Sequence, residues 1–130
     1  MQVEINSPFE DETQQIGIDF DGVIHRCSKG YYDGTIYDDP LPGSLDAIKK
    51  ISQKYTIVVY SAKARPDRPL VNNKTGVELI WEWLEHHGFG SYIKEVTAVK
   101  PRAVCYIDDR AIRFTNWEET CKILDNYTVV

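Results

Sequence analysis

Cysteine is scarce in this chain, and basic charge is outweighed by acidic. The three cysteines, Cys27, Cys105 and Cys121, are widely spaced, odd in number and free of any Cys-x-x-Cys pair. That pattern argues against a disulfide framework and against a zinc site. Cys105 lies in an apolar run and is expected as buried packing. Fifteen Lys and Arg against 20 Asp and Glu leave a net charge of −5. A broad surface for nucleic acid or acidic membrane is thereby disfavoured, although a local basic pocket is not. Long apolar runs are also missing. The run Tyr55-Thr56-Ile57-Val58-Val59-Tyr60 is among the longest, far short of the ~20 residues that cross a bilayer. The stretch from Met1 to Asn6 has neither a basic region nor an apolar segment, so no secretory signal is read there. The expectation is a cytoplasmic protein with no membrane partner.

What is present fits one α/β domain over residues 15–130, preceded by a loose polar leader over 1–14. The length of 130 residues suffices for a real core. A short apolar run, Ile16-Gly17-Ile18-Asp19-Phe20, breaks into Asp21-Gly22 and reads as a buried strand ended by a turn. Residues 24–43, with Gly30, Gly34, Pro40 and Pro42, read as a long loop or flap with a single hairpin. Ser44 is a candidate cap for a helix carrying Leu45, Ile48 and Ile51 on one side. Residues 55–60 form a second strand running into Ser61, and 62–74 form another loop that holds Lys63, Arg65, Arg68 and Lys74. Thr75 and Glu78 fit a capping box. The helix after them sets Val77, Ile80, Trp81 and Leu84 at helical spacing, and Gly88 ends it. Strands are expected near 92–98 and 103–107. A helix near 116–125 follows with Trp117, Cys121 and Leu124 on one side, then a last strand at Tyr127–Val130. Strands alternating with helices imply right-handed βαβ units, hence a Rossmann-like three-layer sandwich around a mostly parallel sheet.

In an open parallel sheet, ligands bind beyond the carboxyl ends of the strands. Those ends here carry Asp19 and Asp21, then Ser61, then Asp108 and Asp109, with Lys100 just ahead of the fourth strand. Acids packed this closely repel one another unless a cation sits among them. Mg²⁺ suits oxygen ligands and a phosphate partner, and a cation would also offset repulsion between a carboxylate nucleophile and a phosphate ester.

These segments resemble the haloacid dehalogenase-like hydrolase superfamily over roughly residues 15–115. The resemblance is carried by Ile16-Gly17-Ile18-Asp19-Phe20-Asp21-Gly22-Val23, by Ile57-Val58-Val59-Tyr60-Ser61, by Lys100-Pro101, and by Val104-Cys105-Tyr106-Ile107-Asp108-Asp109. It implies a Mg²⁺-dependent phosphatase in which Asp19 is the nucleophile and Asp21 the general acid and base. Ser61 and Lys100 would hold the phosphoryl oxygens. Asp108 and Asp109 would bind Mg²⁺ with Asp19 and the backbone carbonyl of Asp21. Asp21 is then expected to have a raised pKa, because it must carry a proton in the first step. The segments 23–43 and 62–74 are too short for a large cap, which implies a small capless type with an open site.

The substrate is read as a nucleotide or other small phosphate ester, with a nucleic-acid end as the alternative. Lys94 is the fallback for Lys100. Arg65 and Arg68 are candidate substrate contacts, Arg110 and Arg113 are candidates for either substrate or the acid pair, and His25 is a candidate contact to the leaving group. His86 and His87 sit at a helix end, where the dipole favours them, and Trp81 reads as core. A receiver-type phosphate sensor shares the same residue types. It would carry its acid pair on the first strand, the reverse of the order here. A non-catalytic phosphate-binding module stays open as a rival, as does a dehalogenase or phosphonatase.

Overall fold

The computed structural model describes residues 14–127. All but Gln14 of the expected leader lies outside that range, and of the expected last strand only Tyr127 lies within it. The elements run β1 (Gln15–Asp19), α1 (Ser44–Ser52), β2 (Thr56–Tyr60), α2 (Gly76–His86), β3 (Glu95–Thr97), β4 (Cys105–Ile107) and α3 (Trp117–Asp125). The four strands make one all-parallel sheet in the order β3-β2-β1-β4. The chain adopts the fold class read from its sequence, a small Rossmann-like α/β sandwich without a cap. No helix among the described residues is long and apolar enough to cross a membrane.

Strand alternation explains the core. Ile16 and Ile18 of β1 and Ile57 and Val59 of β2 share one face. They bury with Ile48 of α1 and with Ile80 and Leu84 of α2. Each such side chain contributes about 1.5–3 kcal/mol on burial, an upper figure given a compact unfolded chain. On the other face, a Cβ at Gly17 would stand 2.8 Å from the Tyr106 ring. Glycine there lets Tyr106 and Pro101 close over the strand.

Register brings the motifs together. Asp19 pairs with Tyr60, which sets Ser61 next to the end of β1. Ile18 pairs with Ile107, which sets Asp108 beside Asp19. The Ser61 N–H donates to the Thr97 carbonyl at 3.0 Å, tying the same edge to β3.

The capping box of α2 is present in both halves, with Thr75 accepting from the Glu78 N–H and Glu78 accepting from the Thr75 N–H. Ser44 does not cap α1. Gly43 holds the N-cap in the left-handed region at φ 83, and the Ser44 hydroxyl turns back to the Leu41 carbonyl at 2.7 Å. The long 24–43 segment is a run of turns rather than a hairpin, pinned by an isolated bridge between His25 and Pro40 and by Trp83 Nε1 donating to the Asp38 carbonyl at 2.9 Å. Trp83 is the buried tryptophan of α2, with Trp81 packed partly buried at the edge of the core. Cys105, expected inside, is exposed, because β4 lies at the edge of the sheet formed by the described residues and its three residues are all exposed. Helix α3 has its Asn116 cap but buries none of its residues.

Candidate active site

The ends of β1 and β2 and the flap enclose a cavity of about 480 Å³, lined on one side by Asp19, Asp21, Ser61 and Lys63. That volume falls among those that take small-molecule ligands. The structure brings together Asp19, Asp21, Ser61 and Asp109 as cavity residues, with Asp108 adjoining. One carboxylate oxygen from each of Asp19, Asp108 and Asp109 lies within 4.8 Å of the others.

The Phe20 N–H donates to Asp19 at 2.8 Å and so fixes the rotation of the carboxylate. Its pKa is pushed up to about 6. Burial is the main cause; the Phe20 N–H opposes it, and the charges of Asp108, Asp109 and Asp21 add to it. Asp108 goes the other way. The Arg110 N–H at 2.8 Å is the main cause of its lowered pKa, which holds against the opposing effect of burial. The Tyr60 hydroxyl at 2.9 Å and the charge of Lys100 lower it further. Asp109 lies against the backbone of Gly22, where any Cβ would collide with its carboxylate and where φ is +83. Glycine at 22 therefore serves two needs: the left-handed turn, and room for the acid.

These three carboxylates fit a hard divalent cation such as Mg²⁺. A second group, Asp21 with His25 and Cys27, is equally close-set but does not fit a metal. The Asp38 backbone N–H donates to His25 Nε2 at 3.0 Å, so Nε2 is an acceptor and the ring proton belongs on Nδ1. Nδ1 then donates to Asp21 Oδ1 at 2.9 Å, and the Lys63 ammonium sits on the same oxygen at 3.2 Å. A proton and an ammonium already occupy the place a cation would take.

His25 is fully buried, stacked on Phe20 at 5.4 Å and edge-on to Tyr37 and Trp83. It cannot meet a leaving group. Its work is to orient Asp21. The raised pKa expected for Asp21 is also corrected. Burial raises the carboxyl, but the His25 hydrogen bond and the charge of Lys63 outweigh it, and the net shift is downward.

Ser61 is buried at the start of a short 3-10 turn, Ala62–Ala64, and its hydroxyl accepts from the Lys63 N–H at 3.1 Å. That turn carries Lys63 back under the sheet edge, where it is only 7% exposed. Lys63 is the site residue that sequence reading left in a loop. Its signal, a lysine two positions after the strand-end serine, becomes readable only once the turn is known. Lys100 is not among the cavity residues. It is exposed, with its ammonium 4.1 Å from the centre of the Tyr106 ring, close enough for its charge to act on Asp108. Arg68 and Arg110 do line the cavity, whereas Arg65 pairs with Asp67 at 2.8 Å on the surface.

Neither a protein-family model, nor a curated protein, nor a solved structure matches this chain.

Proposed function

We propose that this chain is a Mg²⁺-dependent phosphomonoester hydrolase of the haloacid dehalogenase-like type, acting through an aspartyl-phosphate on Asp19. The observation that carries the proposal is the meeting of Asp19 with Asp108 and Asp109 beside a cavity that also presents Asp21 and Ser61. Asp19, Asp108 and Asp109, with the Asp21 backbone carbonyl, would hold Mg²⁺, which would supply the charge that offsets repulsion between carboxylate and phosphate.

In the first step an Asp19 oxygen bonds to phosphorus, the bond from phosphorus to the alcohol oxygen breaks, and Asp21 gives that oxygen its proton. In the second step water bonds to phosphorus and gives a proton to Asp21. The bond to Asp19 breaks, and inorganic phosphate leaves. Ser61 donates to a phosphoryl oxygen, and Lys100, already near Asp108, adds a cation at the same edge. The free protein holds Asp21 ionised, ready for the second step. A phosphate dianion in the cavity offsets Lys63 and favours the protonated form needed for the first. Three free thiols among the described residues suit a reducing compartment, and the cytoplasm is the assignment we make.

Purified protein is expected to hydrolyse an aryl phosphate with Mg²⁺ and to stop in EDTA. Asp19→Asn is expected to lower turnover on the order of 10³-fold or more, as for loss of a nucleophile. Beryllium fluoride with Mg²⁺ is expected to bind the native protein and not the variant. Neither turnover nor that binding would leave only a phosphate-binding module.

A further inference from the structure

The cavity holds more cationic groups than one transferred phosphate requires. Lys63 is committed to Asp21, yet Arg26, Arg68 and Arg110 also line the walls. Outside the cavity, Arg65 pairs with Asp67, Lys74 with Glu82, and Lys122 with Glu118 and Glu119. None of the three cavity arginines has an ion pair among the described residues. In a chain of net charge −5, they concentrate positive charge on the walls of one cavity.

One of the three is built into the wall. The Arg68 guanidinium lies 4.7 Å from the centre of the Tyr31 ring and gives one N–H to the Ala62 carbonyl at 3.4 Å. Tyr31 in turn is seated over Gly34, where a Cβ would lie 2.8 Å from its hydroxyl and where φ is +84. Stacking and a carbonyl contact fix the plane of the guanidinium and leave its other N–H groups for a ligand. Arg26, next to His25 in the flap, joins Arg68 as a second wall residue of the same cavity.

We propose that the substrate carries a second phosphate group, bound by Arg26 and Arg68 while the first is transferred to Asp19. This rests on the phosphatase reading above and names its substrate class. Planar guanidinium forks match phosphate oxygens in pairs, and two of them offer more donors than a single carboxylate accepts. A nucleoside bisphosphate supplies that second group as a monoester, and a 5′-phosphorylated nucleic-acid end supplies it as a diester.

The test is calorimetric titration of the Asp19→Asn protein with Mg²⁺, which needs no turnover. The probes are adenosine 5′-monophosphate, adenosine 3′,5′-bisphosphate and a 5′-phosphorylated dinucleotide. The bisphosphate is expected to bind at least about tenfold tighter than the monophosphate, a usual scale for a charge-assisted contact. In a background also carrying Arg26→Gln and Arg68→Gln that ratio is expected to fall to near one, while Arg65→Gln, outside the cavity, leaves it in place. A dinucleotide that matches the bisphosphate identifies a nucleic-acid end, and one that matches the monophosphate identifies a small bisphosphate. A ratio within twofold of one in the Asp19→Asn protein, or a ratio that survives loss of both arginines, overturns the proposal. Mg²⁺-dependent turnover of an aryl phosphate by the native protein judges the underlying phosphatase reading separately.

Discussion

Asp21 receives both of its cationic-side partners on a single oxygen, the imidazole N–H of His25 at 2.9 Å and the ammonium of Lys63 at 3.2 Å. His25 is uncharged in this arrangement, since its second nitrogen accepts the Asp38 N–H. The charge that lowers Asp21 therefore comes from Lys63, working against burial. Substituting Lys63→Met removes that charge and leaves the His25 hydrogen bond alone against burial, so the Asp21 pKa rises. If Asp21 is the proton donor of the first step, a larger fraction of the free enzyme is then competent at neutral pH. The limb of the kcat/KM profile that reports Asp21 is expected to move to higher pH. A pH profile of aryl phosphate hydrolysis reads this directly. A uniform drop in kcat/KM with the limb unmoved would mean that Lys63 acts on the phosphate and not on Asp21.

The turn that delivers Lys63 depends on how α2 begins. A Cβ at Gly76 would collide with the Lys63 backbone carbonyl, so the first turn of α2 can lie against Ala62–Ala64 only with glycine there. Gly76→Ala is expected to cost about 1–3 kcal/mol in urea unfolding, as overpacking does, and to lower activity by shifting Lys63 away from Asp21. Thr75→Ala, one residue earlier, is expected to cost about 1 kcal/mol through the lost cap and to spare the pH profile. Equal effects of the two changes on the profile would sink this distinction. The contrast also shows what the sequence made legible. The capping box at Thr75 and Glu78 is a local signal, readable from four adjacent positions, and so are the apolar strands that end in Asp19, Ser61 and Asp108. Lys63 meets Asp21 across 42 positions, a contact set by β1–β2 register and by the 3-10 turn, neither of which periodicity reports. Ser44 failed as a cap because Gly43 had already taken the left-handed position. Cys105 failed as core because an edge strand is defined by the order of the whole sheet.

At the scale of the whole molecule, the fold gathers like charge at one sheet edge and stores the cost there. Asp19 ordinarily titrates at 3.8 and is raised to about 6 in the folded chain, by burial first and then, against the Phe20 hydrogen bond, by its acidic neighbours. Between those two values the folded protein holds a proton that the unfolded chain has released. The contribution of Asp19 to stability is thus fully present below about pH 3.8 and is lost as pH rises through about 6. Asp108 and Asp21 are lowered, so their contributions are present above the ordinary carboxylate value and are lost only on further acidification. The two windows do not overlap, and the metal-free protein is expected to lose melting temperature between pH 5 and pH 7. If Mg²⁺ is held at Asp19, Asp108 and Asp109 as proposed, it favours the ionised form of Asp19 and competes with its proton. Its stabilising effect should therefore be small at pH 5 and larger at pH 7.5 at the same concentration. Thermal melts with and without Mg²⁺ at pH 5, 6 and 7.5 measure both trends together. Asp19→Asn is neutral throughout and should flatten this pH 5–7 loss in the metal-free protein while weakening the Mg²⁺ response. A Mg²⁺ shift of the same size at every pH would mean that Asp19 is not a ligand, and would leave the metal to Asp108 and Asp109 alone.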